Sequence, residues 1–478
     1  MKNYSIWKDN ITFPSFDSLN NNIDVDVLII GGGMTGINTF YQLRRSSLEV
    51  VLVEQNKLGM GVTSNTTGKL TYLQDSIYEK IIKNFDEDTA LKYLESQKWA
   101  IDIACDTIDK ENIACDLLKV PSYIFANDDE EVKKLKELKN FLESNQIKVI
   151  KGDSDLVQSK LMIGVDDTYL FHPLKYLMGL VSKLDKNKIY EDTSIVKMDK
   201  DEDGYLCYTD NDYIIRAKRV VIASHYPYFN LPFVFPIKGS LEKSYLSASL
   251  YRKDNISLIK YSKPVISIRS YLDYLLYLSN SHDISIGQDD KDHYLELKKK
   301  LSDLGLDPEY MWSNTDIMTN DGLPYIGEID DRLLIGTGYN TWGMTNSILA
   351  GKILADIIMD KDNQCIELFN PKRINLGMVG GAVIDGIKSA SGMIRGILSD
   401  SDKVKYDRLE GKEIAIYEDS NGKHTVYTKC PHMGCRLIFN EKELMWDCPC
   451  HASRFDIDGK CISGPANVDI GVDKETKE

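Results

Sequence analysis

The chain has 478 residues, a formal net charge of −15 at pH 7 and a pI near 5.1. This length allows two or three domains with sizeable cores, and the acidic balance argues against a nucleic-acid partner, which would need a basic face. No apolar run reaches the roughly 18 residues of a membrane span, and Met1 to Asn22 is too polar for a signal segment. We therefore expect a cytoplasmic protein with no membrane span, whose scattered cysteines are reduced.

An apolar run followed by glycines opens the first recognisable unit. Residues 25–30 predict a buried parallel strand, a helix is predicted over about 35–45, and a second strand at 50–53 ends in Glu54. In this pattern Gly31 permits a tight turn, Gly33 lets backbone approach a pyrophosphate, and Gly36 lets the helix pack on the strand. Glu54 is placed to accept from a ribose hydroxyl. The pattern predicts a dinucleotide site; the alternative is a glycine-rich turn in another kind of α/β protein.

Two later loops of small residues are further candidates for cofactor contacts. The loop of residues 59–69 is rich in glycine and hydroxyl side chains and could wrap a second phosphate and a flavin edge. A strand at 333–335 leads through a glycine-rich junction into a helix over about 345–359, whose N-terminal amides suit a flavin carbonyl. With Met34 and Thr35 of the first loop, the candidate ligands are Gly61, Thr63, Thr66, Thr67, Gly338, Trp342, Gly343 and Met344.

This order of motifs resembles the D-amino-acid-oxidase superfamily of FAD-dependent oxidoreductases, which includes glycine oxidase and sarcosine oxidase. The resemblance covers about residues 25–360 and implies FAD as the cofactor. It implies an α/β (α+β) fold in which a Rossmann-type FAD-binding domain, residues 24–362, carries an interleaved substrate domain. The nucleotide-binding parts are expected at about 24–75, 145–235 and 312–362, and the substrate parts at about 76–144 and 236–311.

The substrate side offers one candidate catalytic residue, Arg269. The family resemblance implies oxidation of a C–N bond in a small-molecule amine or amino acid, with the flavin supplying the chemistry. An amino-acid carboxylate would need a cation, ideally a bidentate arginine, and Arg269 lies on a predicted strand of the substrate sheet. The alternative is an exposed strand position or an ion pair with Asp273. His225 and His282 are the other polar candidates, and a structural role suits each of them better.

Residues 363–400 are expected to link two domains. The stretch 376–398 is apolar and glycine-rich, with only two basic residues. Helical spacing of its apolar residues favours a connecting helix packed on the flavin domain. The alternative is an amphipathic anchor in peripheral contact with a membrane surface.

Two short Cys–His boxes near the end of the chain are candidate metal ligands. Cys430 and His432 form the first box, and Cys448 and His451 form the second. Two thiolates and two imidazoles are the ligands of a Rieske 2Fe–2S cluster, and the same four residues also suit a tetrahedral zinc site. The order of the ligands and the two neighbouring cysteines favour the cluster.

The boxes, together with a Ser-Gly-Pro-Ala stretch at 463–466, resemble the cluster and proline loops of a Rieske domain, expected as a small all-β unit at 401–478. The resemblance implies a disulfide between Cys435 and Cys450. In Rieske proteins of respiratory complexes a serine and a tyrosine donate hydrogen bonds toward the cluster. Ser453 occupies the serine position, but Phe455 replaces the tyrosine. We therefore expect an intermediate potential within the Rieske range of about −150 to +300 mV.

The whole chain resembles a fusion of an FAD-dependent oxidoreductase with a Rieske domain. We expect an amine or amino acid to reduce FAD, and the cluster to pass electrons singly to an external acceptor. One alternative is a reductase in which an external donor feeds the cluster and FAD reduces the substrate. Another is a non-catalytic electron carrier or redox sensor. No second Gly-x-Gly-x-x-Gly follows a predicted strand, so no separate NAD(P)H site is expected.

Overall fold

The computed structural model describes residues 1–9, 11–227, 239–252, 254–284, 290–373, 401, 403–450 and 453–472. Most of the predicted linker, including the apolar stretch 376–398, lies outside the described residues. Within the described ranges, no helix combines the length and the apolar character that crossing a membrane requires.

Seven α-helices are described, and their starts follow ordinary capping chemistry. Asp86 and Asp128 cap two of them by accepting a backbone N–H three residues later, and a third begins with Pro173 after the His172 cap. The helices are α1 (Met34–Leu43), α2 (Ile77–Asn84), α3 (Glu87–Glu111), α4 (Asp129–Ser144), α5 (Pro173–Val181), α6 (Asp290–Asp303) and α7 (Gly343–Ile358).

The strands fall into three stretches of the chain. Those before residue 223 are β1 (Ile23–Ile30), β2 (Val50–Val53), β3 (Lys69–Leu70), β4 (Leu118–Lys119), β5 (Ser122–Ala126), β6 (Ile150–Lys151), β7 (Leu161–Val165), β8 (Tyr169–Leu170), β9 (Ile189–Tyr190), β10 (Ile195–Asp201), β11 (Gly204–Thr209) and β12 (Ile214–Ile222). The middle stretch holds β13 (Gly239–Leu250), β14 (Ser257–Lys260), β15 (Ser267–Tyr271), β16 (Tyr274–Asp283), β17 (Pro308–Thr319), β18 (Tyr325–Asp330) and β19 (Leu333–Thr337). The last stretch holds β20 (Val404–Leu409), β21 (Lys412–Asp419), β22 (Gly422–Tyr427), β23 (Ile438–Asn440), β24 (Met445–Asp447), β25 (Arg454–Asp456) and β26 (Cys461–Ser463).

The first sheet is the predicted nucleotide-binding sheet. Its eight strands run in the order β10–β11–β12–β1–β2–β9, with β19 also beside β12 and β18 beside β19. β1 pairs in parallel with β2 and β12, and β12 pairs in parallel with β19. The apolar run of β1 is buried from Val27 to Ile30, as expected of a parallel strand covered on both faces. The predicted α/β architecture is confirmed.

The second sheet forms the substrate side. Its eight strands run β17–β13–β16–β15–β14–β5–β7–β6. The sequence predicts residues 145–235 in the nucleotide-binding part, but β6 and β7 belong to this second sheet. The reason is long-range pairing: β7 lies antiparallel to β5, with Ile163 opposite Ile124. β17 also runs across the boundary that we placed at residue 312.

The C-terminal unit is a small antiparallel β domain, as predicted. It contains a three-stranded sheet, β20–β21–β22, and a four-stranded sheet, β23–β24–β25–β26. Its core is built on Trp446, Phe455, Leu437 and Val426, which are at most 1% exposed. The segments between β22 and β23 and between β24 and β25 carry the two Cys–His boxes.

Candidate flavin and cluster sites

The glycine loop between β1 and α1 packs as tightly as the sequence predicted. Gly31 has φ +113°, and a Cβ there would lie 2.6 Å from the backbone oxygen of Ala223. A Cβ on Gly36 would lie 2.0 Å from the backbone oxygen of Gly31. Gly33 is different, since the nearest atom to its added Cβ is the Thr63 hydroxyl at 3.4 Å. Gly31 and Gly36 therefore serve backbone packing, whereas the nearest neighbour of Gly33 is a side-chain hydroxyl at ordinary contact distance.

Glu54 organises this loop from the end of β2. Its carboxylate accepts the backbone N–H of Gly32 at 2.7 Å and that of Asn56 at 2.9 Å. Burial raises the pKa of the Glu54 carboxyl, while these two hydrogen bonds lower it. The side chain thus ties the glycine loop to the chain after β2, and it remains on the wall of the adjoining cavity.

A cavity of about 330 Å³ opens at the carboxyl ends of β1 and β2, the usual ligand position in open α/β sheets. Many of the predicted cofactor residues line it: Gly31, Gly33, Met34, Thr35, Glu54, Gly61, Thr63, Gly343 and Met344. Four others, Thr66, Thr67, Gly338 and Trp342, are not among its lining residues, and Gly36 packs behind it. Sequence reasoning did not single out Thr193, Ser194 and Tyr339, which also line the wall. Thr193 and Ser194 carry no local motif, whereas Tyr339 lies in the glycine-rich junction before α7.

The loop of residues 62–68 is held by buried donors from distant parts of the chain. The Trp7 indole N–H donates to the Thr66 carbonyl at 2.6 Å, and that of Trp312 donates to the Asn65 carbonyl at 2.9 Å. The Arg269 guanidinium donates to the Thr67 carbonyl at 2.9 Å and also to that of Gly68. Consecutive carbonyls of this loop are therefore fixed from behind.

Arg269 has a different environment from the one that we predicted. It is 1% exposed, and its guanidinium also donates to the carbonyls of Phe171 and Ser270, each at 3.0 Å. Burial lowers its pKa to about 9. Arg269 is not paired with Asp273, and it does not line the cavity at the ends of β1 and β2 or the smaller cavity that adjoins it. Its contacts are those of a residue that positions the loop, so they do not support our assignment to a substrate carboxylate.

A second cavity, of about 170 Å³, adjoins the first. The two share Met60, Gly61, Val62 and His225, and they also share Ile462 and Gly464 of the C-terminal domain. The His225 Nε2 lies 3.0 Å from the Thr315 carbonyl, and burial lowers its pKa to about 4. The ring is therefore neutral at pH 7, with Nε2–H as the donor to that carbonyl.

A buried ion-pair network joins the C-terminal domain to the substrate sheet. Arg454 pairs with Glu443 and with Asp447, the latter at 2.9 Å, and the ammonium group of Lys243 on β13 lies 3.2 Å from Asp447. The Tyr294 hydroxyl donates to Glu443 at 2.8 Å. Burial alone would raise the pKa of both carboxyl groups, but the charges of Arg454 and Lys243 lower it. Both acids are therefore ionised at neutral pH.

The two Cys–His boxes lie close together in the C-terminal domain. Cys430 and Cys448 are buried and free, and a hydrogen bond with Cys448 lowers the pKa of Cys430 to about 7. A disulfide joins Cys435 to Cys450, as the resemblance implied. Their sulfur atoms lie within 4.8 Å of that of Cys448, but the disulfide removes both from the set of possible ligands. Of the predicted imidazole ligands, His432 is half-buried, and His451 lies outside the described residues.

Comparison with known families decides the identity of the flavin-side domain. The sequence profile of the FAD dependent oxidoreductase family matches residues 26–357. The chain belongs to this family. A second profile, that of the Rieske [2Fe-2S] domain, matches residues 397–472. The protein is therefore an FAD-dependent oxidoreductase with a Rieske domain, and a 2Fe–2S cluster, not zinc, is the group that this domain binds.

Relatives of this FAD-dependent oxidoreductase fall into two groups. The Rieske 2Fe-2S iron-sulfur protein YhfW of Bacillus subtilis is 30% identical, over 96% of this chain and 95% of its own. The gamma-glutamylputrescine oxidoreductase of Escherichia coli is 23% identical, over 72% of this chain and 86% of its own. The crystal structure of glycine oxidase from Geobacillus kaustophilus superposes with a TM-score of 0.59 at 18% identity, covering 73% of this chain and 99% of its own. The first relative spans both domains, whereas the glycine oxidase shares the fold of the flavin-side domain.

The residues of this FAD-dependent oxidoreductase fit both prosthetic groups. Gly33 lines the first cavity, and the N-terminus of α7 reaches the same wall through Gly343 and Met344. In the Rieske domain, two buried thiols stand ready as thiolate ligands, while the disulfide holds the two loops together. Ser453 is fully buried, and its hydroxyl accepts the Ala466 N–H at 3.1 Å, which links the second box to the proline loop.

Proposed function

We propose that the protein oxidises an amine or amino acid at FAD and passes the electrons through its Rieske cluster to an external acceptor. One observation carries this proposal: the C-terminal domain supplies part of the wall of the flavin cavity. Ile462 and Gly464, at the start of the proline loop, line both cavities beside Gly61 and Val62. The loop that covers a Rieske cluster thus adjoins the loop expected to hold the flavin ring.

The chemistry of the two groups fits this arrangement. Bound FAD supplies two-electron oxidation of a C–N bond to an imine, with loss of a proton, and a bound 2Fe–2S cluster carries one electron at a time. The residues of the chain fix the segments that would hold these two groups. The buried pairs between Lys243, Asp447 and Arg454 fix the Rieske domain on the substrate sheet, and the disulfide fixes the two cluster loops.

Support for the substrate class comes from the relatives. The E. coli relative acts, by its name, on gamma-glutamylputrescine, and the Geobacillus structure is that of a glycine oxidase. Both substrates are amines with a C–N bond to oxidise. We also propose a cytoplasmic location, which is consistent with the free thiols of Cys105, Cys115, Cys207 and Cys365.

An anaerobic titration tests this function. The holoprotein is mixed with a panel of amines, amino acids and N-methyl amino acids while flavin absorbance and the Rieske EPR signal are followed together. We expect the flavin to bleach first and the signal of the reduced cluster to grow afterwards. If no compound bleaches a flavin that dithionite does reduce, amine oxidation is wrong. If an external donor reduces the cluster before the flavin, electrons flow in the reverse direction.

Removal of one cluster ligand tests the internal route. In Cys430→Ser we expect substrate to bleach the flavin at the rate of the unmodified protein, while reduction of an external one-electron acceptor is lost. Cys207→Ser is the matched control, because Cys207 is a buried free thiol in the nucleotide-binding sheet. Loss of flavin reduction in Cys430→Ser alone would mean that the Rieske domain supports the fold and carries no electrons.

A further inference from the structure

Two acidic residues face each other on neighbouring strands of the substrate sheet. β13 and β17 are antiparallel, and Glu242 pairs directly with Asp316 in their register. Side chains in such a pair have Cβ atoms about 4.5–5.5 Å apart, and like charges placed there are destabilising. Glu242 is only 4% exposed. A sheet built for stability alone would not keep this pair.

A third carboxylate, that of Asp75, belongs to the same cluster. Asp75 lies just before α2, and burial first and then the charge of Glu242 raise its pKa to about 7. Asp316 responds in the same way: burial and Glu242 raise its pKa to about 7. The negative potential of Glu242 thus reaches both aspartates. Glu242, Asp316 and Asp75 are called the acid cluster from here on.

The lysines near the acid cluster leave part of it unbalanced. Lys263 pairs with the Oε2 of Glu242 at 2.5 Å, but its own side chain is 66% exposed. Lys80 donates to the Thr319 carbonyl at 2.6 Å. Within the described residues, the Oε1 of Glu242 is buried and accepts no hydrogen bond. A buried carboxylate oxygen without a donor is costly, and an ammonium group, with three donors, is the ligand that would satisfy it.

The acid cluster lies next to the second cavity. Trp312 and Asn314, which alternate with Asp316 on the same face of β17, line that cavity, and the three acids lie behind this wall. The Asn314 amide also donates to Asp316 Oδ2 at 3.1 Å, so one wall residue is bonded directly to the cluster. The same cavity is lined by Met60, Gly61 and Val62 of the predicted flavin loop. A ligand held by the acid cluster would thus lie beside the site of C–N oxidation.

We propose that the acid cluster binds the ammonium group of the substrate, so that the enzyme accepts amines without an α-carboxylate in preference to amino acids. This inference rests on the proposed function and narrows its substrate class. The carboxylate of an amino acid would be repelled by Glu242 and Asp316. Arg269, the cation predicted to receive such a carboxylate, is instead bonded to backbone carbonyls.

Binding of a non-reacting pair of probes tests this inference independently of turnover. tert-Butylamine is a cation at pH 7.5 whose amine carbon has no hydrogen to lose, and pivalate is an anion of nearly the same shape. Isothermal titration calorimetry on the oxidised holoprotein should show that tert-butylammonium binds and pivalate does not. Glu242→Gln and Asp316→Asn should each weaken binding of the cation about tenfold or more. Glu309→Gln is the control, because Glu309 is an exposed acid on the same strand β17.

Flavin reduction then separates the two proposals. We expect 1,4-diaminobutane and butylamine to bleach the flavin at lower concentrations than glycine or L-proline. In Glu242→Gln and in Asp316→Asn, the amine concentration for the half-maximal rate of flavin reduction should rise about tenfold, with a smaller change in the limiting rate. If amino acids reduce the flavin and amines do not, or if pivalate binds and tert-butylammonium does not, the inference is wrong while C–N oxidation stands. If tert-butylammonium binds as expected but none of these compounds reduces the flavin, the cation site stands and the proposed oxidation is wrong.

Discussion

The loop of residues 62–68 and the acid cluster both adjoin the second cavity, yet their polar groups are satisfied to very different extents. Trp7, Trp312 and Arg269 donate to four consecutive carbonyls of the loop. In the acid cluster, Glu242 keeps a buried oxygen without a donor. The difference separates two kinds of site. A resident cofactor needs a wall that is rigid before the cofactor binds, whereas a substrate that comes and goes can itself supply the missing hydrogen bonds.

The largest expected effect comes from adding one methyl group at Gly36, which packs behind the flavin cavity. In Gly36→Ala the new Cβ would lie 2.0 Å from the Gly31 backbone oxygen, so α1 would have to move away from β1. We expect the purified protein to retain little or no FAD, measured by the ratio of absorbance at 450 and 280 nm (about a tenfold fall or more). Gly411→Ala is the control: it strains a glycine with φ +78° in the Rieske domain, but its Cβ meets nothing within 4 Å, so flavin content should be unchanged. Full flavin content in Gly36→Ala would show that the glycine loop does not hold the cofactor.

A second test removes the buried cation behind the loop. Arg269→Met leaves the carbonyls of Thr67 and Gly68 without their donor, and a buried unsatisfied carbonyl costs about 1–3 kcal/mol. We expect FAD to dissociate about tenfold more readily, measured by flavin fluorescence on dilution, with little change in the substrate concentration for half-maximal rate. The opposite pattern, with normal FAD affinity and a raised substrate requirement, would restore Arg269 as a substrate ligand.

The residues in these two tests differ in whether their contacts could be predicted from the sequence. The glycine loop lies within one strand–helix–strand unit, so its spacing alone predicted the tight packing of Gly31 and Gly36. Glu54 was predicted to bind a ribose hydroxyl, and its hydrogen bonds with the Gly32 and Asn56 amides were not predicted. Trp7 was not predicted, because it lies 59 residues from its partner Thr66. Arg269 was predicted to bind a substrate carboxylate, and its hydrogen bond with Thr67, which is 202 residues away, was not predicted. The pairing of Glu242 with Asp316 depends on the register of two distant strands, for which the sequence carries no local signal.

Buried groups also fix the contact between the Rieske domain and the substrate sheet. In Lys243→Met, Asp447 and Glu443 lose a buried cation, although Arg454 still neutralises part of their charge. Loss of one partner from a buried network is destabilising, so we expect looser docking of the Rieske domain. Electron transfer from flavin to cluster should slow about tenfold in stopped-flow absorbance, with stronger dependence on salt.

Lys200→Met is the matched control for this change. Lys200 pairs with Asp330 at 3.1 Å in an exposed position, where an ion pair contributes about 0–1 kcal/mol. An unchanged rate of flavin-to-cluster transfer in Lys243→Met would mean that the buried network does not set the spacing between the two centres.

The acid cluster, unlike the loop of residues 62–68, should lower the free energy of unfolding. Its charged and titratable neighbours are Lys80 on α2, Tyr93 on α3, Tyr261 after β14 and Lys263. The folded protein raises the pKa of Asp316 from 3.8 to about 7, so its contribution to stability is full below about pH 4 and is lost as the pH rises to 7. Asp316→Asn removes the ionisable group and with it this loss of stability at higher pH. We expect it to raise the free energy of unfolding by roughly 1–2 kcal/mol above pH 7 and to change it little near pH 4.

Thermal unfolding of the variant and the unmodified protein at several pH values measures this difference. A variant that is less stable at pH 8 would mean that Asp316 is a satisfied structural acid, and the contrast between the rigid wall and the acid cluster would disappear. Glu309→Gln again serves as the control, because an exposed acid on the same strand should show no such pH dependence.

The smallest predicted effect concerns the reduction potential of the 2Fe–2S cluster, where phenylalanine stands at the position expected for one hydrogen-bond donor. Phe455 on β25 is fully buried and lies opposite Trp446 of β24, and the Rieske resemblance implies that it stands where respiratory Rieske proteins have a tyrosine donor. In Phe455→Tyr a new hydroxyl can donate toward the cluster and stabilise its reduced form. A hydrogen bond of about 1–2 kcal/mol corresponds to roughly 40–90 mV for one electron, so the potential should rise by that amount in an EPR-monitored redox titration.

Ser453→Ala should lower the potential of the cluster, because Ser453 hydrogen-bonds Cys430. A fall in the potential of Phe455→Tyr would mean that hydrogen-bond donation at this position does not control the potential of the cluster, and that burial or the charges of the neighbouring Arg454–Asp447 network set it instead.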